Sequence, residues 1–261
     1  MQTIAIVNRR GGVGKTATAH ALGAGLRKKG YKVLFIDLDS QTNLTYDAGA
    51  KAGALSAMDL LTGNAAIDQI IINTPQGDIV PASPALAGAD LVINETGKEY
   101  RLKEALAPVN DIYDFAIIDT PPALGTITTN ALTAASAAII PAQAEIHSLQ
   151  GIGLLNETIT AVRKYTNPAL VVDGILLTRY NGRAVISKDM RDNLESIAAA
   201  LQTRLYKTPI RECVSIKEAQ ARQQDIFSYA PRSNAAKDYT ALIDEFLQGR
   251  KEVKDNGKER I

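Results

Sequence analysis

The stretch Ile6-Val7-Asn8-Arg9-Arg10-Gly11-Gly12-Val13-Gly14-Lys15-Thr16 holds the residue types that bind phosphate. Glycines let a backbone approach an anion closely, in conformations that a Cβ would forbid. The amides of Gly11 to Thr16 can then face phosphate oxygens, with the positive end of a following helix behind them. In such a loop Lys15 reaches the β- and γ-phosphates and the Thr16 hydroxyl binds Mg2+. The common template G-x-x-x-x-G-K-[ST] is not met, because Arg9 stands where its first glycine belongs. Two further segments end an apolar run on a carboxylate: Phe35-Ile36-Asp37-Leu38-Asp39, and Tyr113 to Leu124, which contains Asp119. A carboxylate at the C-terminal end of a parallel strand faces the ligand crevice of an open sheet.

These groups need elements to carry them. Short β-branched runs predict strands at 3–7, 32–36, 70–73, 79–81, 115–118, 138–141 and 171–177, with a weaker one at 204–208. Helical patterns fall at 16–29, 98–106, 129–135, 149–165, 187–201 and 234–247, while 44–64 and 82–96 read as surface helices and loops. Strands that are apolar throughout are buried on both faces. The expected fold class is therefore α/β: a doubly wound, mostly parallel sheet flanked by helices. One domain spans 1–248, and 249–261 reads as a charged, disordered tail.

Of 261 residues, 46% are hydrophobic and 22% charged, which suits one large soluble core. The single cysteine, Cys213, excludes a disulfide framework or a cysteine-ligated cluster and fits a reducing cytoplasm. No window reaches the ~20 apolar residues of a membrane span, and the start of the chain lacks a signal peptide's apolar run. His20 and His147 have no carboxylate or cysteine partner at ligand spacing. The formal charge of +1 conceals a basic segment, residues 179–237, with 11 Lys and Arg against 6 Asp and Glu. Such a segment suits an anionic partner, or else is a solvated helical face.

The loop does fit a second pattern, x-K-G-G-x-x-K-[ST], with Arg10 in place of the leading lysine. With the segment from Asp37 to Asn43 and the strand ending at Asp119, this resembles the ParA/MinD class of deviant Walker ATPases, and within it the short ParA/Soj-type partition ATPases. The resemblance runs from Thr3 to about Leu247. It implies a P-loop NTPase fold that takes ATP and Mg2+. Arg10, Lys15 and Asp39 would be catalytic, with Asp39 orienting the attacking water and Asp37 supporting it. Gly11, Gly12, Val13, Gly14, Lys15, Thr16 and Ala17 would hold the nucleotide. Thr16, Asp39 and Asp119 would serve the metal, and Asn181, Pro209 and Arg211 would flank the base.

The resemblance further implies an ATP-bound homodimer in which residue 10 crosses to the partner subunit's phosphates. Non-specific DNA and a centromere-binding ParB-type protein would be its partners, in the cytoplasm on the nucleoid. Lys188, Arg191, Arg204, Lys207, Lys217 and Arg222 are the candidates for DNA phosphates. Strand one begins at residue 3, so the operator-binding extension of longer relatives is not expected. Two alternatives stand beside this reading: a slow or non-hydrolysing DNA-binding switch, and a MinD-like membrane-associated ATPase, which the lack of an apolar face in the tail disfavours.

Overall fold

The computed structural model describes residues 1–51, 53–181 and 185–258, with the side chains of 146–149, 185–190 and 251–258 outside that description. Seven strands form one sheet: β1 (Gln2–Ile6), β2 (Val33–Asp37), β3 (Ile72–Thr74), β4 (Gly77–Val80), β5 (Phe115–Asp119), β6 (Ala137–Gln143) and β7 (Val171–Thr178). Their order is β3-β4-β2-β5-β1-β6-β7, antiparallel only between β3 and β4. Among the described residues the helices of two turns or more are α1 (Lys15–Lys28), α2 (Thr126–Ala134), α3 (Ile146–Tyr165), α4 (Val185–Ala200), α5 (Val214–Ala221) and α6 (Asn234–Lys258).

Strand alternation divides the core. Ala5, Val7, Leu34 and Ile36 point to one face, where they meet Leu132, Ile152 and Leu155 of α2 and α3. Ile4, Ile6 and Phe35 point to the other, against Leu22 and Leu26 of α1 and Leu242 and Phe246 of α6. Both faces are thus covered by helices, the arrangement that all-apolar strands require. Helix α1 lies unusually close to its neighbours, because a Cβ on Gly23 would run into the Phe35 ring and one on Gly25 into the Ile243 side chain.

Three expectations need correction. The weak strand at 204–208 forms only an isolated bridge, Ile175 to Leu205, although Arg204 O and Tyr206 N both hydrogen-bond Ile175. Its course along β7 is broken because Arg204 and Tyr206 turn to engage Asp173. The segments at 44–64 and 82–96 are not simply surface, since Leu44, Leu60, Leu61, Leu86 and Ile93 are buried in the two cores. Helix α6 does not stop at Leu247 but continues to Lys258. Arg250 anchors this extension, stacking on Phe246 and bonding the Gln2 side chain.

Candidate active site

The loop from Val7 to Gly14 joins β1 to α1 at the C-terminal edge of the sheet. Gly12 and Gly14 have φ of 75° and 86°, a region that favours glycine, and Gly14 is the N-cap of α1. The loop is pinned from behind by side chains. Asn8 donates to Pro141 O at 2.6 Å and accepts from Arg10 N at 3.0 Å. Gln143 donates to Gly12 O at 2.8 Å, and the Thr178 hydroxyl to Val13 O at 2.8 Å.

Lys15 is buried, and its Nζ donates to Arg10 O at 3.1 Å. Burial lowers its pKa, opposed by the nearby carboxylates of Asp119 and Asp39. Thr16 Oγ1 donates to Asp119 Oδ2 at 2.6 Å. Asp37 and Asp119 are register partners on β2 and β5, so two carboxylates emerge side by side beneath the loop. Burial pushes the Asp37 carboxyl up to about 6, against hydrogen bonds from Thr45 and Asp39 N. Burial, reinforced by the charge of Asp37, also drives the Asp119 carboxyl well above the usual carboxylate range. Asp119 Oδ1 is buried without a hydrogen-bond partner, an acceptor that a cation or its bound water would satisfy.

Asp39, nearly buried, lines a cleft of about 580 Å3 together with Gly11, Gly12, Gly14, Lys15 and Thr16. That volume suits a mononucleotide. No group of three or more His, Cys, Asp or Glu able to hold a metal alone is present among the described residues. A site of Thr16 and Asp119 oxygens suits Mg2+, which takes one or two carboxylates and completes its shell with phosphates and water.

The remaining predicted residues divide. Ala17 and Arg211 line the cleft, whereas Asn181 and Pro209 are not among its lining residues, and Ile210 is there in place of Pro209. The Arg211 guanidinium is taken by Asp238, at 2.9 and 2.6 Å. Arg10 forms an ion pair with Glu145 at 2.5 Å, and its second terminal nitrogen is buried without a partner. Of the DNA candidates, Lys207 and Arg222 are exposed, Arg191 pairs with Glu195 on its own helix, and Lys217 faces the nucleotide cleft. Arg204 is held within the fold by Asp173, and the Lys188 side chain lies outside the described residues. Sequence reasoning missed Glu145, Tyr46, Asp47 and Gln220. Glu145 lies two residues beyond the end of β6, and Gln220 within α5.

Comparison with known proteins agrees with this geometry. Residues 1–172 match a family model described as an AAA domain. The chain is 38% identical to the sporulation initiation inhibitor protein Soj of Bacillus subtilis, over 93% of this chain and 96% of that protein. It is 36% identical to the chromosome-partitioning ATPase Soj of Treponema pallidum, over 94% and 97%. The chain belongs to the ParA/Soj family of ATPases. A solved cobyrinic acid a,c-diamide synthase from Mycobacterium smegmatis, with bound ADP and magnesium, superposes with a TM-score of 0.84 at 32% identity over 96% of both chains. The sequence expectation of family and fold class is therefore met. No helix among the described residues is long and apolar enough to cross a membrane.

Proposed function

We propose that this chain is a DNA-partition ATPase that binds Mg2+·ATP, pairs with a second copy, holds DNA without sequence preference and lets go on hydrolysis stimulated by a ParB-type partner. The observation that supports it best is the convergence of Lys15, Thr16 and Asp39 on one cleft at the edge of a parallel sheet, with Asp119 buried beneath it and hydrogen-bonded to Thr16. The loop amides and the N-terminus of α1 bind the phosphates, and Lys15 leaves Arg10 O to neutralise the β- and γ-oxygens. Thr16 and Asp119 would hold Mg2+, which would supply positive charge beside the phosphates. Asp39 accepts a hydrogen bond from the attacking water and orients it. Asp37 keeps the turn behind Asp39 in shape by accepting from Asp39 N at 3.1 Å and Thr45 N at 2.8 Å. Arg10 exchanges Glu145 for the partner subunit's phosphates.

Exposed Lys207 and Arg222, with Arg191 and Lys188 on α4, supply contacts to DNA phosphates. Binding of that kind weakens steeply as salt rises. The deciding experiment measures ATP turnover with DNA, with the partner protein, and with both. Stimulation only when both are present supports the cycle, whereas an unstimulated rate in every mixture leaves a nucleotide-dependent DNA switch.

A further inference from the structure

One wall of the cleft is built by the short helix Asn43–Asp47 and by α5, and one side-chain bond joins them. Gln220 Nε2 donates to Asp47 Oδ2 at 2.7 Å, and both residues line the cleft. Both also border a small cavity beside His20 and Ala21 of α1. Ala17, in the first turn of α1, lines both the cleft and that cavity, so this wall stands beside the phosphate-binding end of the helix. Tyr46, half exposed, lines the same cleft next to Asp47 and offers a flat ring for stacking.

We propose that Gln220, held in a single amide orientation by Asp47, reads the 6-amino edge of adenine. The inference rests on the ATPase reading above and adds the residue that selects the base. Asp47 is almost fully buried, and burial raises its carboxyl to about 6, so at neutral pH it is an ionised group that only accepts hydrogen bonds. An acceptor-only partner fixes which end of the Gln220 amide faces it: the NH2 group. One N–H and the carbonyl oxygen of Gln220 then have no other bond among the described residues. That pair, an acceptor beside a donor, matches the amino group and adjacent ring nitrogen of adenine, the pairing glutamine uses to recognise this base. A purine with a keto oxygen at the same carbon sets acceptor against acceptor. Lys217 and Arg211, which also line the cleft, are donor-only, and Arg211 is already doubly bonded to Asp238.

Calorimetry with Mg2+ and either ATP or inosine triphosphate, which replaces the 6-amino group by a keto oxygen, tests this directly. The unaltered chain should prefer ATP by about tenfold or more. Gln220→Leu and Gln220→Met should both reduce that preference to within about threefold by weakening ATP, with the inosine nucleotide unchanged. Asp47→Ala should collapse the preference likewise, and Asp47→Asn, whose amide oxygen accepts the same bond, should restore most of it. An unaltered chain that binds ATP without discriminating, or glutamine variants that keep the full preference, would overturn the assignment alone. A chain that binds neither triphosphate overturns the ATPase reading as well.

Discussion

Two carboxylates sit at opposite ends of the sheet, the buried Asp119 at the C-terminal edge of β5 and the partly buried Asp173 near the start of β7. Asp173 is held by opposite charge: Arg204 donates at 3.1 Å, the Tyr206 hydroxyl donates to the same oxygen, and Arg250 forms a looser ion pair, 3.9 Å from the other. Arg204 stacks on Tyr206 and Arg250 on Phe246, so the cations are held as firmly as the anion. Asp119 has one hydroxyl donor, a neighbouring carboxylate in Asp37, and an oxygen with no partner. A closed network stabilises a fold, whereas an open one carries a cost that a ligand can relieve. The first is a clasp and the second a site.

Substitutions should separate the two ends, and the largest effect belongs to turnover. On the proposed reading Asp39→Ala would remove water orientation without touching the phosphate cradle, so partner-stimulated hydrolysis should fall by about 10^2 to 10^4 while ATP affinity in calorimetry stays within a few-fold. Lys15→Ala should weaken ATP binding by about 100-fold, the loss of a charge-assisted contact. Unchanged affinity would remove the loop from the site. At the other end, Asp173→Ala leaves two arginines uncompensated and should lower unfolding stability by about 2 kcal/mol, a figure reduced from the fully buried case by the partial exposure of Arg204. ATP affinity should not change. A loss of affinity comparable to that of Lys15→Ala would merge the two ends into one functional network.

His20 extends the comparison to pH. Burial lowers it from 6.5 to about 4, and its Nε2 has no partner. The folded state therefore refuses a proton that the unfolded chain accepts, so its contribution is complete above pH 6.5 and is lost as pH falls toward 4. In denaturant melts His20→Leu should flatten that acid limb by about 3 kcal/mol. The smallest effect is expected for Arg10→Lys. A guanidinium paired with Glu145 keeps attraction for phosphate but fits a point contact poorly, so lysine should raise stimulated turnover about two- to fivefold at similar ATP affinity. If Arg10→Lys turns over no faster, arginine is fully competent at this position.

The phosphate loop and the carboxylate strands were legible because local sequence encodes them: a glycine run after an apolar strand, and apolar runs that stop at Asp37 and Asp119. The pairs that close the cleft were not. Arg10 with Glu145 and Asp47 with Gln220 lie 135 and 173 residues apart, and no local periodicity signals a contact at that range. Helix α5 was missed as an element because eight residues, Val214–Ala221, make too short a repeat to stand out. Arg204 misled for the opposite reason. Its basic character marks it as a surface contact, and only the fold brings Asp173 and Tyr206 around it.

The glycines of α1 have a mechanical consequence. With Gly23 pressed on Phe35 and Gly25 on Ile243, the helix has no room to roll or slide, and it is clamped between the sheet and α6. A helix wedged in this way behaves as a fixed strut. On the proposed ATPase reading, its phosphate-facing tip would stay in place while nucleotide comes and goes, and movement would fall to the parts that line the cleft around it: the loop at Arg10, the helix Asn43–Asp47 and α5.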